Sequence, residues 1–314
     1  MGINVLAAGL ALPQDAGRMG YAEVGVSRSG AFNRDDYRLL GSLMGYPNDY
    51  SYPAIELLGG SLNLRSTTNT TFAVLGRCRI EVNGVLLPSE TVLDVNEGDH
   101  LYIQLLDSNP AYVAFDGLTF SKVLDSISFD SMSLLGNAPL RSGDVLLINP
   151  EAKGHARVGQ FLLLKRSLTS SAVKTLNILA GPHDGVEILT GRTWKIDALA
   201  RSGIRLIPDS QNPYTAEELL LIKSGGALKS LPVTPGAIQL PVSGNPIILG
   251  PDSGVTGGYL VPAVLATFDL HKLASLSNGD NIKFKRITQA EAMLSYASAQ
   301  KALENKVIQA HNIV

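Results

Sequence analysis

Short runs of apolar residues, separated by glycine, proline, asparagine and aspartate, recur along almost the whole chain. Clear examples are INVLAAG at 3–9, TTFAVLG at 70–76, TLNILAG at 175–181 and NIKFKRI at 281–287. Runs this brief, β-branched or alternating and bounded by turn residues, are typical of β-strands. Further runs of this kind are RIEVNGVLL, HLYIQLL, VLLIN, AIQLPV, NPIILG and LATFDL. So many short strands favour β-barrels or sandwiches over a parallel α/β sheet.

Only two segments show clear helical spacing. Residues 33–45 begin with Asn33, which is predicted to cap the helix N-terminus. The second helix begins near Thr288, three residues before Glu291, which is the spacing of a capping box. The apolar residues of this second helix, which are expected to cover its own barrel or dock elsewhere, are Met293, Leu294, Ala297 and Leu303. The predicted fold class is therefore mainly β, with a few short helices and a C-terminal helix.

A polar turn that ends in Gly-Asp precedes an apolar strand at three places in the chain. The three segments are VNEGDHLYI at 95–103, LRSGDVLLI at 140–148 and LSNGDNIKF at 276–284. One such copy carries no information, because glycine and aspartate are common in turns. Three copies indicate a duplicated β-unit.

The length and the loss of strand rhythm in one segment predict the domain organisation. The chain has 314 residues, which suggests two domains. Segment 149–175 loses the strand pattern and carries a basic cluster, so the boundary is placed there. We expect a first β unit at 1–150, a second at 151–290, and a C-terminal helix and tail at 291–314.

Composition argues against several classes of protein. The formal net charge is −2, so no bulk positive field draws the chain to nucleic acid or to an anionic membrane. No apolar run approaches the length of about 18 residues that marks a spanning helix. The first residues lack the charged start of a signal peptide. The single cysteine, Cys78, cannot form an intrachain disulfide. We expect a cytoplasmic protein that binds neither nucleic acid nor membrane.

The usual catalytic signatures are missing. GVTGGY at 254–259 lacks the Gly-Lys-Ser/Thr of a phosphate-binding loop, and no G-x-G-x-x-G opens a helix. The histidines are scattered without metal-ligand spacing, so no metal site is predicted. His183 is singled out because AGPHDG is a tight turn that follows a strand, where a side chain can line a cleft.

The segment QDAGRMGYAEVGVSRSGAFN at 14–33 concentrates glycine and arginine just after the first strand. Glycine is needed where the backbone takes a positive φ or approaches another group closely. Arginine is needed where a planar anion is held. Two interpretations are open: the segment is one wall of a ligand cleft, or Asp15 and Arg18 pair to fix the loop and the glycines only serve turns.

This segment resembles the start of the family known as allophanate hydrolase subunit 2, which includes the C-type subunit of 5-oxoprolinase and part of the carboxyltransferase domain of urea carboxylase. The matching positions are Gln14, Asp15, Gly17, Arg18, Gly20, Tyr21, Gly25, Val26, Ser29, Gly30 and Ala31. LARSGIRL at 199–206 and the stretch 235–259 resemble two later segments of the same family. The resemblance covers about residues 3 to 290 and implies two cyclophilin-like β-barrel units.

The resemblance also implies roles for individual residues. Asp15 and Asp252 would be catalytic, with Asp15 acting as a proton acceptor or orienting Arg18. Arg18 would hold a carboxylate, a phosphate or a carboxybiotin head, beside backbone N–H groups of Gly17 and Gly20. The remaining substrate-binding positions are Tyr21, Ser29, His183, Arg201, Arg205, Thr256, Gly257, Gly258 and Tyr259. The residues themselves also allow simpler roles. Arg201 and Arg205 could form surface salt bridges, Asp252 could cap a turn, and Tyr259 could pack in a core.

The chain departs from the family pattern in its closing motif, which usually reads D-R-Q-T-T-G-G-Y-P-K. Ser253 stands in place of the arginine and Val261 in place of the lysine. Serine does not replace a bidentate arginine contact. We therefore expect a less cationic cleft, weak activity on 5-oxoproline, and a preference for a neutral or singly charged amide.

Three functions remain open at this point. The favoured one is one component of an ATP-dependent hydrolase that acts on the C–N bond of a small lactam or amide, like the C-type subunit of 5-oxoprolinase. It would work with a separate B-type subunit of the same system, or self-associate if no such partner is encoded. ATP would be bound through the complex. The second is a biotin-dependent carboxyltransferase component, with biotin on a separate carrier. The third is a non-catalytic binding or regulatory module that has kept the fold.

Overall fold

The computed structural model describes residues 1–47, 51–152, 156–162, 173–208 and 213–312. Its first ten strands are β1 (Gly2–Gln14), β2 (Ala54–Ser66), β3 (Thr70–Leu75), β4 (Cys78–Val82), β5 (Val85–Leu87), β6 (Leu93–Val95), β7 (His100–Leu105), β8 (Ala111–Phe115), β9 (Leu118–Thr119) and β10 (Val145–Ile148). The later strands are β11 (Lys174–Ala180), β12 (Thr193–Ala200), β13 (Gly203–Pro208), β14 (Leu231–Pro232), β15 (Ala237–Leu240), β16 (Ile247–Leu249), β17 (Thr256–Gly257), β18 (Leu260–Leu265) and β19 (Asn281–Arg286). The helices are α1 (Arg34–Leu43), α2 (Val186–Thr190), α3 (Ala216–Ser224), α4 (Leu270–Leu273) and α5 (Gln289–Asn312).

The first β unit is a ten-stranded sheet that branches at the long strand β2. One end of β2 pairs with β7 and the other end with β8, while β1 pairs along almost its whole length. The register of β1 against β2 shifts on either side of Gly9, where a Cβ would lie 2.2 Å from the Gly59 carbonyl oxygen. Only glycine permits this approach, so the strand pair bends there and the sheet curves around its core.

The second β unit is a closed seven-stranded barrel in the order β11-β18-β15-β16-β13-β12-β19. Its core includes the fully buried Trp194, Ile204 and Ile282. Phe32, from the loop between β1 and α1 in the first unit, also packs into this core. The two β units are therefore joined by shared apolar packing.

The three Gly-Asp segments fold into the same turn. Asp99, Asp144 and Asp280 each accept a hydrogen bond from the backbone N–H three residues earlier, at 2.7, 2.7 and 2.9 Å. The glycine before each aspartate has a positive φ, which glycine adopts without steric cost. The carboxylate closes the turn and the next residue begins β7, β10 or β19, so the repeated sequence is a repeated strand entry.

Both predicted helices are confirmed, and the structure contains further helices within the described residues. Asn33 accepts from the Asp36 N–H at the start of α1, and Thr288 and Glu291 exchange capping bonds at the start of α5. Helix α3 was missed, although Thr215 and Glu218 form a full capping box there. The strand expected over LATFDL was wrong, because the chain turns into a short 3₁₀ segment and α4 after β18.

The C-terminal helix crosses from the second unit to the first. Leu303 is 6% exposed and packs in a cluster with α1, and Arg38 donates to Gln300 over 2.9 Å. Met293 and Leu294 are exposed, so only part of the expected apolar set covers the protein. In the residues that the model describes, no helix is long and apolar enough to cross a bilayer.

The expected mainly β fold, with few short helices and a C-terminal helix, is confirmed. The predicted boundary segment 149–175 is only partly within the described residues, because 153–155 and 163–172 lie outside them. The division at 150 and 290 therefore stays a prediction.

Candidate functional site

Charged and polar side chains meet where the two β units touch, and we call Ser29, Glu56, Arg201 and Asp252 the junction cluster. Glu56 and Asp252 are fully buried, and Arg201 is 6% exposed. Arg201 Nε and Nη2 donate to the two carboxylate oxygens of Asp252, each over 2.9 Å, while Nη1 donates to Glu56 Oε1. One guanidinium thus joins a carboxylate of the first unit to one of the second. Such bidentate, charge-assisted pairing fixes geometry as well as charge.

The strand pairing explains why these groups meet. Arg201 lies in the turn between β12 and β13, and Asp252 follows β16, which pairs with β13. The Asp252 N–H donates to the Arg201 carbonyl oxygen over 3.1 Å. On the other side, Glu56 lies on β2, and its Oε2 accepts from the Phe32 N–H and the Tyr112 hydroxyl, each over 2.7 Å.

The surroundings of Asp252 and Arg201 favour the charged forms of these two side chains. Burial acts to raise the pKa of Asp252, but Arg201 and hydrogen bonds from Ser131 and Ser29 hold that pKa below its ordinary value. Burial likewise acts to lower the pKa of Arg201, but Glu56 and Asp252 raise it. Asp252 accepts from the Ser131 N–H at 3.0 Å, the Ser131 hydroxyl at 2.8 Å and the Ser29 hydroxyl at 2.8 Å. This arrangement fits a structural role in which the cluster holds the two units together. A catalytic role for Asp252 stays a prediction.

Asp15 lies at the end of β1 and is 3% exposed. Its Oδ1 accepts from the Gly17 N–H at 2.8 Å and from the hydroxyls of Ser126 and Ser128, each at 2.6 Å. Its Oδ2 accepts from the Ile127 N–H at 3.0 Å. The carboxylate is therefore engaged by four donors and anchors the segment around residue 127. Its role as a proton acceptor is untested and would need one of these donors to be displaced.

Arg18 is 2% exposed and points into the first unit rather than onto an open wall. Its Nη2 donates to the Ser128 carbonyl oxygen and its Nε to the Val123 carbonyl oxygen, the latter over 3.2 Å. Among the described residues no direct ion pair joins it to Asp15, and both side chains instead form hydrogen bonds with the segment 123–128. Burial lowers the pKa of Arg18, although the acidic residues around it oppose this. Its Nη1 is buried without a partner among the described residues, and a ligand-binding role for Arg18 stays a prediction.

The glycines of the motif have two different roles. Gly17 has a φ of 88°, and a Cβ there would lie 2.6 Å from the Arg28 carbonyl oxygen. Gly20 has a φ of 84° with open space around it. Gly17 therefore permits close backbone packing, whereas Gly20 serves a turn. Tyr21, next along the chain, donates its hydroxyl to Asp125 over 2.6 Å.

The closing motif forms a small ribbon beside the barrel. Thr256 and Gly257 form β17 and pair with β14, and a Cβ on Gly257 would meet the Gln239 amide at 1.9 Å. Tyr259 is 44% exposed, so it is not part of a core, contrary to the simpler expectation, and it is available to a ligand. Gly258 lies between these residues and is partly buried.

The two substituted positions of this motif do not line an open cleft. Val261 is 4% exposed and packs with Ala237 and Leu249. Ser253 is 5% exposed, and its hydroxyl has no partner among the described residues. The substitutions therefore change the interior packing of the loop, and they give no ground for a preference against anionic substrates.

His183 and Arg205 stand apart from the junction cluster. His183 Nδ1 accepts from the Val261 N–H over 2.9 Å, so it holds the start of β18. Arg205 is exposed on β13 and lines a shallow depression with Asp197. Throughout the described ranges, no three histidine, cysteine, aspartate or glutamate side chains form a group that could hold a metal ion. The expectation of metal-free chemistry stays a prediction.

Sequence reasoning missed several residues that build the site. Glu56 has a signal that can be read in AIELL, because an acid inside an apolar strand needs a buried partner. DSISFDSMS at 125–133 alternates polar and apolar residues, and its serines supply the donors to Asp15 and Asp252. The partners themselves lie more than a hundred residues away, so no local pattern could identify them.

The fold and this site place the chain among carboxyltransferase domains. Residues 24–286 match the family model for the carboxyltransferase domain, subdomain A and B, and the chain belongs to that family.

Two kinds of relative match almost the whole chain. It is 28% identical over 312 residues to the C-type subunit of 5-oxoprolinase from Escherichia coli (strain K12), covering 95% of both proteins. It is also 28% identical over 318 residues to urea amidolyase of Lachancea kluyveri, which covers 92% of this chain but only 17% of that protein. One relative is thus a separate subunit and the other a much longer protein.

Solved structures show the same relation. The crystal structure of the K. lactis urea amidolyase superposes with a TM-score of 0.83 at 25% identity, covering 97% of this chain and 20% of that one. The crystal structure of the Kluyveromyces lactis urea carboxylase gives a TM-score of 0.81 at 25% identity, covering 97% and 29%. The chain therefore corresponds to one part of these long enzymes, and their activities are not transferred to it as a whole.

Proposed function

We propose that this chain is the C-type subunit of a 5-oxoprolinase-like complex, which opens a small lactam or amide at the expense of ATP. The observation that carries this proposal is the 95% coverage of both proteins in the match to the C-type subunit of 5-oxoprolinase. Because the match spans nearly all of a stand-alone subunit, it supports a role of the same kind for this chain.

In the proposed reaction, water adds across an amide. The C–N bond breaks, the carbonyl carbon gains an oxygen, the nitrogen gains a proton, and hydrolysis of ATP drives the step. The exposed Tyr259 is proposed to contact the substrate, as is Arg18 through its buried Nη1, which has no partner among the described residues. The carboxylates of Asp15 and Asp252 already accept hydrogen bonds from groups inside the protein. We therefore propose that the ATP site and some of the catalytic groups belong to the other subunits of the complex, including a B-type subunit.

A carboxyltransferase component is the second candidate. The name of the matching family model over residues 24–286 favours it, as does the likeness to the urea carboxylase structure. In that reaction the chain would receive a carboxyl group from biotin on a separate carrier and pass it to a urea-like amide. The third candidate, a binding module without chemistry, is favoured by the internal pairing of Asp15, Arg201 and Asp252.

The test is reconstitution. The chain is co-expressed with a B-type subunit and a hydrolase subunit encoded in the same genome, and ATP-dependent conversion of 5-oxoproline to glutamate is measured. We expect a stable complex whose turnover is lost when this chain is left out. A complex that leaves 5-oxoproline intact but carboxylates an amide from carboxybiotin would replace the proposal with the second candidate. A chain that binds neither protein and supports neither reaction would favour the third.

A further inference from the structure

A second site lies at the junction of the two units, beside the end of the motif segment and apart from Arg18, and we call it the junction pocket. It is a cavity of about 310 Å³ lined by the loop before α1 and α1 itself, by the loops after β16 and β18, and by α5. This volume lies at the small end of the range of ligand pockets, about 300–1,000 Å³. A pocket of this size suits a small organic molecule.

Three arginines line this pocket without an anionic partner among the described residues. Arg28, Arg34 and Arg38 all lie in its wall. Within the described ranges Arg28 donates only to the Ala16 carbonyl oxygen, at 3.3 and 3.4 Å, and Arg38 donates to the neutral Gln300. For Arg34, the described part of the chain supplies neither a hydrogen bond nor an ion pair. Among the described residues, none of the three guanidinium groups in this pocket forms an ion pair.

The carboxylate of Asp35 contacts a histidine of the same pocket and forms no ion pair with these arginines among the described residues. Asp35 lines the same wall, but its Oδ2 lies 3.4 Å from His271 Nδ1. Arg34 and Arg38 are four residues apart and face the same side of α1, where like charges repel. Burial of the guanidinium and the charge of Arg28 lower the pKa of Arg34 to about 10. The fold therefore holds these cations together against their mutual repulsion, which an anionic ligand would relieve.

Much of the remaining wall of the pocket is apolar. Phe32, Leu249, Phe268 and Leu270 line it together with the ring of Tyr296 from α5. An apolar surface with a few convergent polar groups is the usual composition of a small-molecule site. Arginine pairs with carboxylates through two parallel N–H donors. The ligand should therefore carry a carboxylate on a small apolar or amide body.

We propose that the junction pocket binds a small organic carboxylate, whose charged group is held by Arg28 and Arg34. The carbon body of the ligand lies against Phe32 and Phe268. This site is independent of the proposed reaction, because only the charges and walls of the pocket support it. It also differs from the site around Arg18, which lies inside the first unit and does not line this cavity.

The test is calorimetric titration of the full chain with 5-oxoproline, glutarate and benzoate. The neutral lactam 2-pyrrolidinone and inorganic phosphate serve as comparison ligands. We expect at least one carboxylate to bind, with 2-pyrrolidinone and phosphate at least tenfold weaker. No binding by any of the three carboxylates at 10 mM, or equal binding by phosphate, would overturn the proposal.

Variants locate the binding. Arg34→Gln and Arg28→Gln should each weaken the carboxylate at least tenfold, and Arg34→Gln should leave the melting temperature equal or higher because a repelled charge is removed. Arg77→Gln, at an exposed arginine that pairs with Asp107, should change nothing. If Arg18→Ala removes binding and neither pocket variant does, the pocket is not the site. Turnover is not measured here, so failure of the proposed reaction would leave this result intact.

Discussion

At the scale of single residues, two buried arginines show how environment decides role. Arg201 donates to two carboxylates and to the Gly30 carbonyl oxygen, so its charge is balanced inside the protein. Arg18 donates only to carbonyl oxygens and keeps one nitrogen without a partner in the described residues. The first arrangement stabilises a junction, whereas the second leaves one buried donor unpaired, which is compatible with the proposed ligand contact of Arg18. Both residues belong to family motifs, and sequence alone does not separate these roles.

Replacing Arg201 with alanine should strongly destabilise the protein. The change leaves the fully buried carboxylates of Glu56 and Asp252 without their shared cation. Removing one partner of a buried ion pair costs about 3–5 kcal/mol. Denaturant unfolding measures this cost, with Arg205→Ala as the matched control, because that arginine is exposed on β13 and should change stability by no more than about 0.5 kcal/mol. Equal stabilities of the two variants would contradict the structural role of the cluster.

The same cluster should make stability depend on acid pH. The pKa of Asp252 is lowered in the folded state, so its ionised form contributes stability above the unfolded pKa, about 3.9 for aspartate. This contribution is lost as the pH falls through the folded pKa, because the unfolded chain takes up the proton first. The free energy of unfolding, measured from pH 7 down to pH 3, should fall less steeply for Asp252→Asn than for the wild type. Parallel curves would show that Asp252 is not the titrating group.

At the scale of elements, short sequence motifs correctly predicted the helix caps and turns, which depend on contacts between residues close together in the chain. The N-cap at Asn33, the capping pair at Thr288 and Glu291 and the three Gly-Asp turns act within a few residues, and all form as expected. The strand predicted over LATFDL was wrong because its apolar residues are equally compatible with the 3₁₀ segment and helix α4 that follow β18. The junction cluster could not be predicted, since Glu56 and Arg201 are separated by 145 residues and meet only through tertiary packing.

Helix α5 should be held to the first unit mainly through Leu303. This side chain packs in the cluster around α1, and truncating a buried leucine costs about 2–5 kcal/mol. We expect Leu303→Ala to expose α5, seen as faster amide hydrogen exchange along the helix. Leu294→Ala is the control, because Leu294 is 74% exposed on the same helix and should leave exchange unchanged. Protection that survives Leu303→Ala would show that other contacts dock the helix.

At the scale of the whole molecule, the same segment that carries the family motif also joins the two β units. The loop from Asp15 to Phe32 begins in the first sheet. Its Ser29 hydroxyl donates a hydrogen bond to Asp252 of the second unit, and its last residue, Phe32, packs in the core of the barrel. Residues expected to form a catalytic wall are thus also the residues that set how the units meet. The junction pocket has walls from both units, so a ligand bound in it would contact both.

Because of this junction, the two units should unfold together. Interfaces between domains usually permit separate unfolding unless they are strongly coupled, and here a buried guanidinium and an inserted aromatic ring couple them. Differential scanning calorimetry of the wild type should show one transition, with calorimetric and van't Hoff enthalpies in agreement. The double variant Arg201→Ala with Phe32→Ala should show two transitions, because each unit keeps its own core while the coupling is lost. The double control Arg205→Ala with Leu294→Ala alters only exposed side chains and should keep one. Two transitions in the wild type, or one in the double junction variant, would mean that the coupling between the units lies elsewhere.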